Sequence, residues 1–250
     1  PTPAPTPAPA SPPSGSPAEA DAQDGAPAHA DILNASDAPA WRRSVAIIAH
    51  VDHGKTTLAD RLLAAAGQLG EAKAGAARAL DKGVAAERGI TVRATAVRLR
   101  LHGGDLSLVD CPGHADLAGE SAAALRLVDG ALLLVDALEG PRAQTAAAVR
   151  MAAQEGVPLL LVLNKVDRLL PTEAPPIPSE ALSALWARLQ ATVSAANDAL
   201  EQLGARAARA RDGRFALEAG NVLLGSGGQG WMASLDAVAA LHGGAAERRA

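Results

Sequence analysis

The 250-residue sequence predicts an α/β fold in which helices cover both faces of a mostly parallel sheet. From Trp41 onward, short apolar runs of buried-strand type alternate with segments of helical length, which is the pattern of parallel strands connected by helices. No internal repeat at solenoid spacing interrupts this alternation. Because aromatic residues make up only 2% of the chain, we expect a core of Leu, Val, Ile and Ala side chains.

Residues 1–40 precede this pattern and are predicted to form a disordered leader rich in Pro and Ala. They hold 10 of the 17 prolines and five acidic residues, but no Lys or Arg. Proline removes an amide donor and fixes φ, and few side chains in this stretch could be buried. The alternative interpretation is a proline-rich ligand for a partner domain. We expect residues 41–245 to form a single folded domain.

Six strands are predicted, and most of them are short apolar runs. Ser44–His50 has the composition of a strand buried on both faces. Thr91–Leu101 alternates in character, and Asp105–Asp110 is its expected hairpin partner. The remaining predicted strands are Ala131–Asp136, Pro158–Asn164 and Asn221–Gly225.

Segments of helical length separate the strands from one another. The predicted helices are Lys55–Ala66, Asp116–Leu127, Arg142–Gln154, Ser179–Arg211, which is one long or broken helix, and Met232–Leu241.

Composition excludes several classes of protein. The net charge of −4 is too small for a nucleic-acid coat protein, and we expect no DNA partner. The single cysteine, Cys111, excludes an internal disulfide framework and indicates a reducing compartment. The longest apolar runs are far shorter than the roughly 18 residues that a membrane span requires. We therefore expect a cytoplasmic protein with no membrane partner.

The turn after the first predicted strand has the composition of a phosphate-binding loop. Ala49–Thr56 fits the pattern G-x-x-x-x-G-K-[ST], except that Ala49 replaces the first glycine. Gly54 allows a close backbone approach to phosphate, Lys55 supplies a cation for the β- and γ-phosphates, and Thr56 supplies a hydroxyl ligand for Mg²⁺. The expected nucleotide contacts are His50, Val51, Asp52, His53, Gly54, Lys55, Thr56 and Thr57.

The strand–turn–helix context of this loop predicts a P-loop NTPase. One alternative is a chance Gly-Lys-Thr at the start of a helix. A second is a metal pair formed by His50 and His53, although two ligands on a turn are too few for a structural zinc site.

A second constellation follows the predicted strand Asp105–Asp110. Asp110 ends an apolar strand, where a carboxylate holds the metal of a P-loop protein directly or through water, and Gly113 would let an amide reach the γ-phosphate. Thr91, in Glu87-Arg88-Gly89-Ile90-Thr91, would close on the metal and the γ-phosphate as a switch. The expected Mg²⁺ ligands are Thr56, Thr91 and Asp110, the last through water.

The sequence Asn164-Lys165-Val166-Asp167 indicates recognition of guanine. A carboxylate accepts hydrogen bonds from N1–H and N2–H of guanine, and adenine cannot satisfy it in this way. Asp167 takes that role, Asn164 braces the loop and contacts the base, and the stem of Lys165 lies over the ring. We therefore expect GTP and GDP, with Mg²⁺, as the ligands.

Together these stretches resemble the translational GTPases, and more narrowly the family that contains elongation factor 2 and the elongation factor-like GTPase of large ribosomal subunit maturation. The resemblance covers residues 44–235. It is carried by AHVDHGKTTLADRL, ERGIT, DCPGHADLAGE, VDGALLLVDALEG, NKVDR and GNVLLGSGGQGW.

The resemblance implies a GTP-binding domain over residues 41–245 and roles for further residues. His114 would position the attacking water, beside an apolar gate of Val51 and Ile90. Ser226 and Gly227 would form the last loop that contacts the base. The implied partner is the ribosome or its large subunit, through ribosomal RNA.

Some stretches are more similar to one branch of the family than to the other, and some depart from the family pattern. HVDHGKTTLADRL and the GNV near the end are more similar to the maturation factor, which we prefer, whereas GSG is more similar to elongation factor 2. Residues 80–86 lack the charged residues usual in the family, and Gly228-Gln229 is atypical. The family also continues into further domains that this chain lacks.

Two other functions remain open. The first is a nucleotide-binding fragment that does not cycle, which the altered residues 80–86 and the missing domains favour. The second is a P-loop kinase or ATPase, which would make the stretch Asn164–Asp167 a coincidence.

Overall fold

The computed structural model describes residues 39–69, 94–101, 103–112, 118–170, 178–202 and 213–247. Nearly all of the predicted leader, and the atypical residues 80–86, lie outside the described residues. The predicted boundaries of the domain therefore remain a prediction. Within the described part of the chain, no helix combines the length and the apolar composition needed to cross a membrane.

Seven strands form one sheet in the order β2-β3-β1-β4-β5-β6-β7. The inner pairs β1–β3, β1–β4, β4–β5 and β5–β6 are parallel, and the two outermost pairs are antiparallel. The strands are β1 (Arg42–Ala49), β2 (Thr95–Leu101), β3 (Gly104–Asp110), β4 (Gly130–Asp136), β5 (Leu159–Asn164), β6 (Val222–Ser226) and β7 (Trp231–Ser234). The predicted mostly parallel α/β sheet is confirmed.

Helices pack on both faces of this sheet, because successive residues of a strand point to opposite faces. The described α-helices are α1 (Lys55–Ala65), α2 (Ala118–Leu125), α3 (Ala143–Gln154), α4 (Ser179–Glu201) and α5 (Leu235–Glu247). On one face, Ile47 and Ala49 of β1 share a buried cluster with α1. On the other face, Ala46 and Ile48 share a buried cluster with α2, α3 and α4.

The core is built almost entirely of aliphatic side chains. Among the described residues, every buried hydrophobic side chain is Ala, Val, Leu or Ile, except Cys111 and Phe215. The two central strands β4 and β5 contribute continuous runs of buried Leu and Val, as parallel strands covered on both faces do. The predicted aliphatic core is confirmed.

The prediction for the last helix was wrong at its start. Met232–Ser234 was predicted as helix, but these residues belong to strand β7, which pairs antiparallel with β6, and the helix begins only at Leu235. A four-residue strand after a glycine-rich turn gives too short an alternation to be distinguished from helical spacing. Helix α4 ends at Glu201, and the predicted helical segment from residue 203 to Arg211 lies outside the described residues.

Three arginines surround the buried carboxylate of Asp105 near the edge of the sheet. The cross-strand partners of Asp105 are Arg42 on β1 and Arg100 on β2. Their Nε atoms lie 3.8 and 3.6 Å from carboxylate oxygens of Asp105, and Arg98 donates a hydrogen bond to Oδ2. The Arg98 hydrogen bond outweighs the effect of burial and, with the charges of Arg98 and Arg100, holds the pKa of Asp105 below its usual value.

We expect Asp105→Asn to lower the melting temperature at neutral pH, because the arginines lose their shared carboxylate. A carboxyl group whose folded-state pKa is lowered stabilises the fold above its unfolded pKa of about 4 and loses that effect as the pH falls further. The gap between wild type and variant in thermal unfolding should therefore close below about pH 4. The exposed control Asp198→Asn should show no such gap. A gap that stays constant from neutral to acidic pH would contradict this account.

Candidate functional site

The candidate site lies where the parallel strands end. The loop from His50 to Gly54 connects the end of β1 to the start of α1. Asp110, Asp136, Asn164 and Ser226 are the last residues of β3, β4, β5 and β6. Ligands of open α/β sheets bind at the carboxyl ends of the strands, so the fold brings these polar side chains to the edge where a ligand is expected.

The conformation of the phosphate loop requires glycine at position 54. Gly54 has φ +94°, in the left-handed region that side chains with a β-carbon disfavour. A β-carbon there would also lie 2.4 Å from Nδ2 of Asn164, which is closer than a non-bonded carbon and nitrogen atom can approach. The neighbouring Asp52 also has a left-handed φ of 64°. The glycine expected from the motif is therefore required by both backbone angle and space.

Lys55 and Asp110 form a buried ion pair beneath the loop. Nζ of Lys55 lies 2.5 Å from Oδ1 of Asp110, and the two residues are 8% and 0% exposed. Two motifs that lie 55 residues apart in the sequence thus meet in the structure. A cation for phosphate oxygens and a carboxylate for a hydrated divalent ion lie side by side, so this donor set fits a triphosphate with Mg²⁺.

Asn164 connects the two ends of the site. Its Nδ2 donates a hydrogen bond of 2.8 Å to the carbonyl of His53 in the phosphate loop. Its Oδ1 accepts a hydrogen bond of 2.9 Å from the amide of Gly227, in the loop after β6. The sequence predicted that Asn164 braces a loop, and the structure shows that this one side chain holds two loops.

Lys165 reaches back to the phosphate loop as well. Its Nζ donates to the carbonyl of Asp52 at 2.6 Å and lies 2.8 Å from Oδ2 of Asp136. Sequence reasoning missed Asp136, although its position at the end of an apolar strand matches that of Asp110. Burial by itself raises the pKa of Asp136, but hydrogen bonds from Lys165 and from two backbone amides outweigh it and hold this pKa below its usual value.

Asp136 also shapes the turn that follows β4. Its Oδ1 accepts hydrogen bonds from the amides of Leu138 and Glu139, at 2.8 and 3.2 Å. One carboxylate therefore fixes both the start of the next loop and the ammonium group that supports the phosphate loop.

His53 belongs to the phosphate loop, and its side chain is fully shielded from solvent. Its Nδ1 lies 3.3 Å from the Leu134 carbonyl and 3.3 Å from the Asp136 amide. Burial lowers the pKa of His53, against the opposing effect of the Leu134 carbonyl, so the neutral ring is favoured. His50 and His53 contact each other edge to face with ring centroids 5.1 Å apart.

The alternative interpretation of His50 and His53 as a metal pair requires further ligands nearby. Within the described residues, no group of three or more His, Cys, Asp and Glu side chains is placed to hold a metal ion. Cys111, next to Asp110, is fully buried, and burial raises the pKa of its thiol to about 12. A thiol in this environment stays protonated at neutral pH and is a poor nucleophile.

The remaining predicted site residues are only partly covered by the structure. Asp167 lies half-buried in a single 3₁₀ turn, Val166–Leu169, directly after Asn164 and Lys165. Ser226 and Gly227 are buried where β6 ends. Val51, Thr56 and Thr57 lie half-buried around the phosphate loop and the first turn of α1. Four further predicted residues lie outside the described residues, namely Ile90, Thr91, Gly113 and His114.

Comparison with known proteins identifies relatives of this chain. A family model described as the elongation factor Tu GTP binding domain matches residues 41–242. Elongation factor 2 of Halobacterium salinarum is 41% identical over 204 residues, which is 80% of this chain and 27% of that protein. Elongation factor 2 of Ignicoccus hospitalis is 49% identical over 145 residues, which is 56% of this chain and 20% of that protein. The chain thus spans about a quarter of the length of these curated relatives.

Proposed function

The chain belongs to the elongation factor Tu GTP-binding domain family, and we propose that it binds GTP with Mg²⁺ and hydrolyses it as a ribosome-associated switch. The observation that carries this proposal is the pair of hydrogen bonds at Asn164, one to the phosphate loop and one to the loop after β6. The loops that would contact the phosphates and the base are thereby connected through one side chain. This geometry favours a nucleotide over a ligand that carries phosphate alone.

At the phosphate end of the site, the buried charges of Lys55 and Asp110 would each contact the ligand or its metal ion. Lys55 would contact the β- and γ-phosphates from beneath the loop, where it lies beside Asp110. Thr56, Thr91 and Asp110 would hold Mg²⁺, the last through water. Magnesium, when bound, neutralises charge on the phosphate oxygens. The loop itself, from His50 to Thr57, would supply amide donors to the phosphates.

The base end of the pocket would recognise guanine. Asp167 would accept hydrogen bonds from N1–H and N2–H, and the stem of Lys165 would lie against the ring. Lys165 is already held in place by Asp52 and Asp136, so its stem is preorganised. Ser226 and Gly227 would complete the pocket from the loop after β6.

For hydrolysis we propose that His114 positions the attacking water, while Thr91 and Gly113 close on the γ-phosphate. The resemblance supports the role of His114, and the positions of Thr91 and Gly113 in their motifs support theirs. Lys55 and backbone amides would stabilise the charge that develops on the transferred group. We expect slow turnover in the isolated chain and stimulation by ribosomal RNA.

We propose maturation of the large subunit as the ribosomal step, because HVDHGKTTLADRL and GNV are more similar to that branch of the family. Elongation is the second candidate, since the relatives reported above carry the name elongation factor 2. A nucleotide-binding fragment that does not cycle is a candidate of a different class. The feature in its favour is the atypical stretch of residues 80–86.

The first test compares two asparagines that make matching contacts. Asn164 and Asn197 are both buried, and each side chain donates to one backbone carbonyl and accepts from one backbone amide. We expect Asn164→Ala and Asn197→Ala to destabilise the fold similarly, by about 2 kcal/mol in urea denaturation, because buried backbone groups lose partners. Only Asn164→Ala should abolish GDP binding in calorimetric titration. Equal affinity in the two variants would contradict a nucleotide pocket at Asn164.

The second test addresses the base. We expect Asp167→Asn to weaken GDP binding on the order of a hundredfold and to improve binding of xanthosine diphosphate, because an amide can donate to the 2-oxo group of xanthine. Competition titrations with GDP, XDP and ADP measure this preference. The exposed control Asp198→Asn should keep the wild-type preference. A wild-type preference for ADP would instead support the kinase or ATPase interpretation.

The third test addresses catalysis and partner. We expect GTP hydrolysis to rise when cognate ribosomal particles are added, and His114→Ala to lose this stimulation while it keeps GDP affinity. Preferential stimulation by isolated large subunits would favour maturation, and stimulation by complete ribosomes would favour elongation. Nucleotide binding without any stimulated hydrolysis would leave the non-cycling fragment as the better account. Equal stimulated rates for wild type and His114→Ala would remove His114 from the mechanism.

A further inference from the structure

The arginines around Asp105 form an exposed cationic surface on one face of the sheet, which we call the arginine patch. Arg42, Asp105 and Arg100 are direct partners across β1, β3 and β2, so their side chains share a face. Arg98 lies two residues before Arg100 on β2 and therefore belongs to the same face. The side chains of Arg42, Arg98 and Arg100 are 72%, 52% and 64% exposed, whereas that of Asp105 is 5% exposed. The charge that this patch presents to solvent is therefore positive.

The arginine patch carries more positive charge than its own ion pairs neutralise. Three guanidinium groups share one carboxylate, which leaves a net charge of +2. Each guanidinium group has five N–H donors and a carboxylate offers about four lone-pair positions, so most of the donors face water. The neighbouring charges of Arg43 and Asp129 act on each other and leave this balance unchanged.

Ion pairing within the fold does not explain this surplus of charge. Elsewhere on the surface, Arg126 pairs with Glu155 and Arg214 pairs with Glu201, one cation with one anion in each case. Exposed ion pairs contribute little to stability, and like charges that share a partner repel one another. The second and third arginines at Asp105 therefore add a repulsion that an external anion would relieve.

Asp105 holds the guanidinium groups close together. Arg98 donates a hydrogen bond to its Oδ2, and Nε of Arg42 lies 3.8 Å from the same oxygen. Nε of Arg100 lies 3.6 Å from Oδ1. Side chains that are already held in place lose less freedom when a ligand binds. Because the three cations are so close, only a ligand with closely spaced negative charges can engage all of them at once.

The spacing of charge favours a nucleic acid over an acidic protein segment. A double helix carries roughly one phosphate charge per 2 Å of its axis. An extended peptide advances about 3.3 Å per residue and presents only every second side chain to one face. A planar guanidinium group also matches two phosphate oxygens with parallel hydrogen bonds. The arginine patch therefore fits a phosphate backbone.

We propose that the arginine patch is a binding surface for the phosphate backbone of RNA. The inference rests on the proposed ribosome-associated function for the choice of RNA as the nucleic acid. Contacts to phosphate fix position and carry no sequence information, so the patch would orient the chain on RNA without reading bases.

The arginine patch and the nucleotide site lie at different ends of the strands. Asp105 lies five residues before Asp110 on the extended strand β3, which is a distance of about 16 Å. Exposed charges that far apart are largely screened at an ionic strength of about 0.1 M. Removing charge from the patch should therefore leave GDP affinity unchanged.

The test measures binding of the whole chain to a labelled RNA duplex of about 20 base pairs, by fluorescence anisotropy between about 50 and 200 mM salt. The patch variant carries Arg98→Gln and Arg100→Gln. The matched control carries Arg126→Gln and Arg214→Gln, which remove two similarly exposed arginines elsewhere on the surface. GDP affinity and the urea midpoint are measured for every protein.

We expect the patch variant to bind the duplex on the order of tenfold more weakly at low salt. The slope of log K against log salt should become shallower by about 2, because each phosphate contact contributes about 0.9. The control should keep the wild-type slope. Polyglutamate of the same total charge should compete poorly with the duplex.

Asp105→Asn separates charge from folding. This variant removes the anion at the centre of the patch, and we expect it to bind the duplex about threefold more tightly although it destabilises the fold. Weaker binding by Asp105→Asn would show that an intact fold, rather than the charge of the patch, controls RNA affinity, and would overturn the inference.

Further outcomes would also overturn the inference. These are a wild-type affinity and slope in the patch variant, an equal loss in the control, and displacement of the duplex by polyglutamate, which would make an acidic protein the partner. Tighter binding of a DNA duplex of the same sequence would overturn the choice of RNA. A wild-type chain that binds GDP but not the duplex would refute this inference alone. A chain that binds the duplex but not GDP would refute the proposed nucleotide site alone.

Discussion

The close approach of Gly54 to Asn164 is the constraint on which the site depends. A β-carbon on residue 54 would lie 2.4 Å from Nδ2 of Asn164, so the end of β5 and the phosphate loop fit together only through a glycine. This contact places the carbonyl of His53 where Nδ2 of Asn164 can donate to it. Oδ1 of Asn164 then faces the loop after β6 and accepts from the amide of Gly227. Three chain segments far apart in sequence thereby share one rigid junction.

Buried ion pairs at the same edge support the functional interpretation. Lys55 with Asp110 and Lys165 with Asp136 are both largely removed from solvent. Burying two charges costs desolvation energy that their attraction often fails to recover, so such pairs contribute little to stability by themselves. Their concentration at the carboxyl ends of the strands is therefore better explained by the binding of a charged ligand than by folding.

The sequence predicted those parts of the fold and site whose signals are local. Apolar runs and one alternating stretch predicted six of the seven described strands, and the pattern around Gly54 and Lys55 predicted the phosphate loop. Strand β7 was missed, since four residues after a glycine-rich turn carry no periodicity. Asp136 was missed because its partner Lys165 lies on the next strand end, and that pairing exists only once the sheet has formed.

The loop between β6 and β7, residues 227–230, departs from the family's sequence pattern. Such a departure is a weak argument against a nucleotide site. Gly228-Gln229 is atypical of the family, and it directly follows the predicted base contacts Ser226 and Gly227. In the structure, the restraints on this loop come from outside it, through Arg61 and Asn164, and both act on backbone atoms. Such restraints tolerate a change of side chain within the loop, since every residue supplies a carbonyl and every residue but proline an amide. The position of this loop is therefore set by side chains of α1 and β5, rather than by the residues of the loop.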